Sequence, residues 1–219
     1  MRRRVSGNVT YRWRPAMPDK KYKILERELA TDDPWRLDSN PFEQERYTKM
    51  LQMCLSKESI RNALEVGCAA GTFTERLAPH CQRLLVIDVM RQAINRARER
   101  TKKKAHITWI VADIQRFWTA ERFDLIVVAE VLYYLGDIAE LRAAIRNLID
   151  MLAPDGCLIF GSARDETCRH WGHPAGAETA IDIFKEELIE VQRVQFRAER
   201  DDEECLLVLF RNPIKSSGN

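Results

Sequence analysis

The sequence lacks any long apolar run and any large net charge of one sign. No stretch of the 219 residues approaches the ~20 apolar residues of a membrane span. The charged start MRRRVSGNVTYRWRP is not followed by the apolar segment of a secretory signal. The 35 Lys and Arg residues nearly balance the 33 Asp and Glu residues, so the basic excess of a nucleic-acid-binding protein is missing. We therefore expect neither a membrane span nor a nucleic-acid partner.

The cysteines also lack a paired motif. They are scattered and show no CxxC spacing; their positions are 54, 68, 81, 157, 168 and 205. In a chain of this size this pattern predicts reduced, mostly buried cysteines of a cytoplasmic protein. His170 and His173 lie close together, but no third ligand nearby completes a zinc-binding spacing, so we expect no metal.

The length and the 45 % hydrophobic composition suit one sizeable core. Positive charge is concentrated in residues 1–23, which hold eight Lys and Arg residues against Asp19 alone. This composition predicts a flexible basic arm, with a weak polyanion-binding tail as the alternative. We expect a helical lid over residues 24–56, a ligand-binding core over 57–213 and a flexible tail over 214–219.

Short apolar runs alternate with helix-like segments through the core. The predicted strands are NALEVG, RLLVIDV, HITWIVAD, FDLIVVA and CLIFGSA. The clearest helix is Asp137 to Met151, with an apolar stripe at Ile138, Leu141, Ile145, Leu148 and Leu152. Nearly continuous apolar strands that alternate with helices are typical of a parallel sheet covered on both faces.

The end of the chain has a different pattern. Two strand-like runs, LIEVQRVQF and CLLVLFRN, are separated only by the charged RAERDDEE. Parallel neighbours need a dozen or more connecting residues, so this pair should be antiparallel. The sequence therefore predicts an α/β fold with a mostly parallel sheet and an antiparallel C-terminal pair.

Glycines and acidic residues follow successive strands. Gly67 and Gly71 follow the first strand, Asp88 and Asp113 end the second and third, and Glu130 follows the fourth. The carboxyl ends of the strands of an open parallel sheet form its ligand-binding edge. A carboxylate at Asp88 can accept both hydroxyls of a ribose, and Asp113 is placed to accept an adenine amine. The pattern therefore predicts an adenosine pocket.

Two adenosine cofactors compete for this pocket. A dinucleotide needs the Gly-x-Gly-x-x-Gly spacing, which LEVGCAAGTFT lacks because Ala69 replaces the middle glycine. Glu65 would also place negative charge near the phosphates. S-adenosylmethionine has no phosphate and carries two cationic groups, so an acidic residue suits it. The negative charge of Glu65 therefore favours the cationic S-adenosylmethionine over a dinucleotide. The product would be S-adenosylhomocysteine.

The motifs resemble a known family. LEVGCAAGTFT, LLVIDV, VADI, FDLIVVAEVLYYL and LAPDGCLIFG occur in the order seen in class I S-adenosylmethionine-dependent methyltransferases. More narrowly, DPWRLDSNPFEQERYTKML together with the glycine loop resembles the NodS family of nodulation N-methyltransferases, from about Asp32 to Asn212. The resemblance implies a Rossmann-like, doubly wound seven-stranded sheet. It also implies methylation of the free amine on the non-reducing glucosamine of a de-N-acetylated chitooligosaccharide, on the way to a Nod factor.

The resemblance also implies roles for single residues. Gly67 would face the methionine part of the cofactor, Asp88 with Val89 the ribose, and Asp113 with Ile114 the adenine. Ala69 departs from the family pattern, which leaves the tightness of the loop's turn open.

For the chemistry, Glu130 is the expected proton acceptor, supported by Tyr133 and Tyr134. The alternative for Glu130 is a helix-capping or cofactor-orienting role, and for either tyrosine a place in the core. A glucosamine amine is largely neutral near pH 7.5–8, so an orienting carboxylate would suffice.

Two further segments are expected to complete the pocket. In the lid, Trp35 would cover the cofactor, while Arg46 and Tyr47 would reach its carboxylate or close the pocket. The stretch 162–179 shows no helical or strand periodicity. Its polar and aromatic residues predict an acceptor-binding loop, with an ordinary surface loop as the alternative; they are Arg164, Asp165, Arg169, His170, Trp171 and His173.

Two other functions remain open from the sequence. One is a small-molecule N- or O-methyltransferase with the same cofactor site. The other is a non-catalytic protein that binds the adenosyl ligand.

Overall fold

The structure, a computed structural model, describes residues 22–102, 104–197 and 204–213, together with the backbone of 2–5 and 9–12. In chain order the strands are β1 (Arg2–Val5), β2 (Val9–Arg12), β3 (Ile60–Val66), β4 (Cys81–Asp88), β5 (Ile107–Val111), β6 (Trp118–Thr119), β7 (Phe123–Ala129), β8 (Leu152–Ala163), β9 (Ile189–Arg197) and β10 (Glu204–Arg211). The helices are α1 (Lys23–Glu28), α2 (Pro41–Cys54), α3 (Thr72–Leu77), α4 (Arg91–Arg100), α5 (Ile138–Met151), α6 (Asp165–His170) and α7 (Ala177–Phe184).

Seven of these strands form one sheet in the order β5-β4-β3-β7-β8-β10-β9. The first five strands in this order are parallel to one another. β10 runs antiparallel to both β8 and β9. The prediction of a mostly parallel, seven-stranded sheet with an antiparallel C-terminal pair is therefore confirmed.

The strand order reverses at β3, which has β4 on one side and β7 on the other. The chain leaves β3 toward α3 and β4, and later returns to add β7 on the opposite side. At such a reversal the two adjacent connections diverge, which leaves a crevice at the carboxyl ends of the strands.

Two hydrophobic clusters lie on the two faces of the sheet. On one face the rings of Phe160, Phe184 and Phe210 stack in sequence, with centroids 5.3 and 5.2 Å apart. All three side chains are fully buried. Burial of each contributes about 1.5–3 kcal/mol, so this cluster fixes α7 against β8 and β10.

Residues 2–5 and 9–12 pair as an antiparallel hairpin, and β2 also pairs with β6. At the end of the predicted arm, Tyr22 is buried and α1 begins at Lys23. The other residues of the predicted arm, and the predicted tail at 214–219, lie outside the described residues. The flexibility of both segments stays a prediction.

Helix α5 begins where its cap predicts. Asp137 accepts a hydrogen bond from the backbone N–H of Glu140 at 2.8 Å, which satisfies one free donor of the first turn. Leu141, Ile145 and Leu148 are buried as expected, but Ile138 is 39 % exposed. Ile138 lies in the first turn, before the helix reaches the sheet, so its assignment to the buried stripe was wrong.

The segment 152–163 also differs from its prediction. The predicted strand CLIFGSA begins at Cys157, after the turn-forming residues 153–156, whereas β8 begins at Leu152, which pairs with Phe123. Asp155 takes a left-handed φ of 57°, and the register shifts between Phe123 and Leu125. The turn residues therefore form an irregularity inside the strand, because pairing resumes on both sides of them.

The prediction that residues 162–179 lack regular structure was wrong in part. Residues 165–170 form α6, and α7 begins at Ala177. A helix of six residues is too short to show an apolar repeat, and α6 buries only Cys168. Its presence could not be read from periodicity.

Within the segments that the structure describes, no helix is long and apolar enough to cross a membrane.

Candidate functional site

A cavity of about 760 Å³ lies beyond the carboxyl ends of β3, β4 and β7. The loops that follow these strands form one wall, and α1, α2 and their connection form the opposite wall. Most of the predicted site residues line it, namely Trp35, Arg46, Tyr47, Glu65, Gly67, Asp88, Val89, Asp113, Ile114, Glu130, Tyr133, Tyr134, Trp171 and His173. The sheet edge therefore brings these residues together, as the strand-end pattern predicts.

The loop after β3 requires glycine at two positions. Gly67 has a φ of +79°, and a Cβ there would lie 2.3 Å from Cγ2 of Val131. Gly71 has a φ of +83°, and a Cβ there would lie 2.8 Å from Cα of Ala97. Gly71 is not among the cavity-lining residues and instead lets α3 approach α4 closely.

Ala69, between these glycines, also takes a left-handed conformation, with a φ of 45°. Glycine adopts this region without the steric conflict that a Cβ creates. The turn is therefore formed despite the alanine, and Ala69 carries the strain.

Asp88 joins the end of β4 to this loop. Its Oδ2 accepts hydrogen bonds from the backbone N–H of Cys68 at 2.9 Å and of Ala69 at 3.4 Å. Its Oδ1 accepts from the N–H of Met90 at 2.8 Å. Burial raises the pKa of Asp88, while these three donors act in the opposite direction. Asp88 thus shapes the loop, and it also lines the cavity.

Asp113 is 4 % exposed and accepts two hydrogen bonds. Its Oδ2 accepts from the hydroxyl of Tyr22 at 3.0 Å, and its Oδ1 from the N–H of Gln115 at 2.9 Å. Tyr22 also lines the cavity and was not among the predicted site residues. Its sequence neighbourhood is basic and polar, so no periodic or motif signal singled it out.

Glu65 is almost completely buried in β3, with 2 % exposure. Its Oε2 has no hydrogen-bond partner among the described residues. Burial, followed by the charge of Asp88, raises the pKa of Glu65 to about 8. A cation in the cavity would stabilise the ionised form of this carboxylate.

A buried ion pair connects α2 to the loop after β7. The guanidinium Nη1 of Arg46, which is 3 % exposed, lies 2.7 Å from Oε1 of Glu130. Arg46 also pairs with Glu43 on its own helix. Burial alone would lower the pKa of Arg46, but Glu130 and Glu43 raise it well above its usual value. The guanidinium is therefore committed to these carboxylates.

Glu130 is held by further contacts at a strained position. Its φ is 54°, and its Oε2 accepts from the N–H of Ala163 at 3.4 Å. The thiol of Cys205 lies 3.4 Å from Oε1. This carboxylate is fixed by three different segments of the chain, and Cys205 was not foreseen as a neighbour because its only sequence signal is an apolar strand.

An aromatic cluster closes one end of the cavity. The ring centroid of Tyr133 lies 4.6 Å from that of Tyr134, 6.0 Å from that of Trp171 and 5.1 Å from that of His173. Tyr134 lies 5.2 Å from His173. Burial raises the pKa of Tyr134 to about 12 and that of Tyr133 well above its usual value. Both tyrosines therefore stay protonated near neutral pH and can donate hydrogen bonds.

The predicted acceptor-binding residues fall into two groups. Trp171 and His173 line the first cavity, whereas Arg164, Arg169 and His170 line a second cavity of about 900 Å³. Trp171 is shared by both and is 49 % exposed. The predicted acceptor-binding residues therefore line two adjoining cavities, which share Thr167, Trp171 and Glu204.

The arginines of the second cavity are already paired. Arg164 contacts Glu178, and its Nη1 lies 3.1 Å from Glu204. Arg169 lies 3.3 Å from Asp165. The second cavity is thus lined by mixed charge and has no uniform sign.

The lid residues are held to the core by α4. Arg100 contacts Asp38 at 2.7 Å, and Arg96 contacts Asp32 at 3.3 Å. Tyr47 packs on Phe73 with ring centroids 5.5 Å apart. Trp35, half-buried between α1 and α2, joins the same hydrophobic cluster. These contacts hold residues of the predicted lid against the core, where they form one wall of the cavity.

Across the part of the chain that the structure describes, no group of three or more His, Cys, Asp or Glu residues could hold a metal ion.

Comparisons with known proteins agree with this geometry. A family model for nodulation protein S (NodS) matches residues 17–217. Nodulation protein S of Rhizobium tropici is 63 % identical over 196 residues, which cover 90 % of this chain and 82 % of that protein. Nodulation protein S of Bradyrhizobium diazoefficiens is 60 % identical, covering 89 % of this chain and 93 % of that protein.

Solved structures give the same result. The crystal structure of N-methyltransferase NodS from Bradyrhizobium japonicum WM9 in complex with S-adenosyl-L-homocysteine superposes with a TM-score of 0.87 at 63 % identity. It covers 89 % of this chain and all of that chain. A methyltransferase from Clostridium acetobutylicum, at 13 % identity and a TM-score of 0.70, shares the fold.

These relatives confirm the predicted family, enzyme class and cofactor. The chain therefore belongs to the NodS family of S-adenosylmethionine-dependent N-methyltransferases.

Proposed function

We propose that this chain methylates the free amine on the non-reducing glucosamine of a de-N-acetylated chitooligosaccharide, a step toward a Nod factor. The observation that carries the proposal is the junction of two cavities at Trp171. A small acceptor would need only the first cavity. A chain of sugar rings needs an adjoining groove with many hydrogen-bonding side chains, and the second cavity has that composition.

The residues of the first cavity fit the cofactor. The unpartnered Oε2 of Glu65 is a buried acceptor that a cationic ligand would satisfy. The bare backbone at Gly67 leaves room for close approach, since a side chain there would meet Val131. A sulfonium or ammonium cation would stabilise the ionised form of Glu65, which a pyrophosphate would not do.

We assign the cofactor's parts to the strand-end loops. Asp88 and Val89 would hold the ribose, and Asp113 with Ile114 the adenine. Glu65 and the loop residues Gly67 to Ala69 would face the methionine part. Since the loop N–H groups of Cys68 and Ala69 already bond Asp88, this carboxylate would hold both the loop and the ribose.

We propose that residues 24–56 act as a lid. Trp35 and Tyr47 would cover the cofactor, and Arg46 would close the cavity through Glu130. The arginine contacts from α4 keep the connection between α1 and α2 in place. Exclusion of water by such a lid strengthens the electrostatic interactions inside the site.

When bound, S-adenosylmethionine supplies an activated methyl group on a sulfonium. The protein's part is to bring a neutral amine in line with that methyl group and to keep water out. Positioning of this kind contributes about 7–11 kcal/mol in favourable cases. Tyr133 and Tyr134, both protonated, can donate hydrogen bonds that fix the sugar beside the amine.

We assign Glu130 an orienting role. Its Oε1 is ion-paired with Arg46, so the carboxylate is not a free proton acceptor in this arrangement. Its left-handed backbone places the pair between the lid and the loop that carries Tyr133 and Tyr134. This role is the alternative that the sequence left open for Glu130.

The direct test uses two chitooligosaccharides of equal length. One has a free amine on its non-reducing sugar, and the other is fully acetylated. We expect label from methyl-labelled S-adenosylmethionine to reach only the first. If neither sugar is labelled while another small amine or alcohol is, the acceptor assignment is wrong.

A further inference from the structure

We propose that His173 is the base that takes the proton from the acceptor nitrogen. The proposal rests on the amine methylation proposed above. It names a catalytic residue for that reaction.

The position of His173 supports this role. The imidazole lines the first cavity beside the rings of Tyr133 and Tyr134, with centroids 5.1 and 5.2 Å away. Trp171, which lies at the junction with the second cavity, contacts the same tyrosine cluster. A sugar that reaches from the second cavity into the first would therefore pass His173 just before the cofactor.

The backbone around His173 is held rigidly. The N–H of His173 donates to the carbonyl of Cys168 at 2.9 Å, and Gly172 before it takes a left-handed φ of +87°. On the other side, Oδ1 of Asp165 accepts from the N–H of Gly176 at 2.7 Å. A base held in this way loses little freedom when substrate binds.

The surroundings keep the imidazole neutral. Burial lowers the pKa of His173 below its usual value of about 6.5. The titratable groups that line this end of the cavity include Tyr133 and Tyr134 after β7, Glu28 of α1, Glu130 with its partner Arg46 of α2, and Glu204 and Cys205 of β10. Cys168 of α6 packs against the tyrosines. Because Arg46 is paired with Glu130, its charge is largely compensated. A neutral imidazole at pH 7 has a lone pair that can accept a proton.

Tyr133, Tyr134 and Glu130 are less suited than His173 to accept the proton. The tyrosines stay protonated, and Glu130 is ion-paired with Arg46. Glu28 has a buried Oε2 without a hydrogen-bond partner among the described residues, and burial raises its pKa. Glu28 is the competing base, and the experiment below includes it.

The atoms balance as follows. The amine nitrogen uses its lone pair to form the new N–C bond while the donor's S–C bond breaks, which leaves a neutral thioether. As the N–C bond forms, one N–H proton of the amine moves to an imidazole nitrogen of His173, so the product is a neutral secondary amine. The resulting imidazolium returns the proton to water when the product leaves.

The test compares His173→Asn and Glu28→Gln with the wild type. We expect His173→Asn to lower kcat about 10²–10⁴-fold, with cofactor affinity in calorimetry changed less than about twofold, since the imidazole is placed on the acceptor side. The acidic limb of kcat against pH should disappear. In kcat/KM, every variant should keep the acidic limb that comes from ionisation of the free amine.

Two histidine controls accompany it. His80→Asn changes an exposed histidine outside both cavities and should leave kcat and its pH profile unchanged. His170→Asn changes the same segment as His173 but faces the second cavity, so it should keep the acidic limb. If the acidic limb of kcat is lost in Glu28→Gln but kept in His173→Asn, Glu28 is the base and the proposal is wrong.

A readout without turnover completes the test. The ¹⁵N resonances of the His173 ring, identified by their loss in His173→Asn, should show a neutral imidazole at pH 7 in the ligand-free protein. An imidazolium at that pH would overturn the proposal. Failure of the wild type to methylate any amine would instead overturn the proposed function, so the two failures are distinguishable.

Discussion

At the scale of single residues, the conformation of Ala69 sets the loop after β3. An alanine at a φ of 45° is strained, whereas the glycines at 67 and 71 adopt similar values without strain. The sequence showed that a glycine was missing, but it could not show that the turn forms regardless. The hydrogen bonds from this loop to Asp88 hold it in place.

Ala69→Gly should therefore stabilise the protein. Relief of the left-handed strain is worth about 1–2 kcal/mol, and the added freedom of the unfolded chain removes about 0.5–1 kcal/mol of it. We expect a small net rise in the free energy of unfolding, measured by urea titration. Ala120→Gly, at an exposed position with ordinary φ, is the control and should destabilise. Destabilisation by both changes would contradict the strain at Ala69.

The raised pKa of Glu65 predicts that the free energy of unfolding depends on pH. Its folded pKa of about 8 lies above its ordinary value of 4.5, so the folded state binds the proton more tightly than the unfolded state. The contribution is complete below pH 4.5 and is lost as pH rises toward 8. At about 1.4 kcal/mol per pH unit, about 3 kcal/mol is lost by pH 7.

Glu65→Gln should remove this slope, so that unfolding free energies at pH 5 and pH 7.5 differ less than in the wild type. Glu99→Gln, at a largely exposed carboxylate, should leave the slope as it is. An unchanged slope in Glu65→Gln would show that Glu65 is ionised in the folded protein at all these pH values.

Asp88→Ala should weaken cofactor binding by about 1.5–3 kcal/mol, because charge-assisted hydrogen bonds to the ribose are lost. Isothermal calorimetry with S-adenosylhomocysteine measures this directly. Asp124 is a matched control, since its Oδ2 also accepts two backbone N–H groups, at 3.1 and 3.0 Å, but at the start of β3. Asp124→Ala should lower stability and spare affinity. Equal affinities in the wild type and Asp88→Ala would remove Asp88 from the ribose role.

At the scale of elements, α2 is joined to the loop after β7 by an ion pair in which Arg46 is buried and Glu130 is 24 % exposed. Arg46 of α2 and Glu130 after β7 are 84 residues apart, and their oppositely charged atoms lie 2.7 Å from each other. Removal of Arg46 leaves Glu130 and Glu43 without their cation, which costs up to about 3–5 kcal/mol. Removal of Glu130 costs less, because Arg46 still pairs with Glu43. Removal of both costs less than the sum, because the interaction between Arg46 and Glu130 is lost only once.

A double-mutant cycle with Arg46→Met and Glu130→Gln tests this coupling through the free energy of unfolding. We expect the double variant to be more stable than the sum of the single changes by about 2–3 kcal/mol, within the range for coupled neighbours. The pair Arg142 and Glu186, with both side chains 50 % exposed, is the control and should show a coupling of at most about 1 kcal/mol. Additive effects at Arg46 and Glu130 would contradict the ion pair.

The elements of the core were predictable because each carries its own pattern. The five parallel strands were found from apolar runs, and the short charged connection RAERDDEE between β9 and β10 gave their antiparallel pairing. α6 and the irregularity in β8 could not be predicted from the sequence. The six residues of α6 show no repeat, and the irregularity in β8 forms only when this strand pairs with β7. Local sequence does not contain that partner.

At the scale of the whole molecule, the cofactor side of the site was more predictable than the acceptor side. Strand ends in a parallel sheet meet at one edge by geometry, which places Gly67, Asp88 and Asp113 together. On both sides, some contacts depend on how residues 22–56 fold back over the sheet: Tyr22 donates to Asp113 on the cofactor side, and Arg46 contacts Glu130. No spacing rule gives such contacts between distant segments.

The two cavities define how the molecule as a whole would hold its substrates. The first lies where the sheet reverses its strand order, and the second is built from the segment between β8 and α7. Trp171 joins them. We therefore expect one acceptor orientation, with the end of the sugar chain in the first cavity and the rest in the second.

The most direct measurement is tandem mass spectrometry of the product made from a de-N-acetylated chitooligosaccharide and methyl-labelled S-adenosylmethionine. We expect the label on the nitrogen of the non-reducing sugar, and on no other ring of the chain. Label on a hydroxyl oxygen, or on an internal sugar, would contradict it.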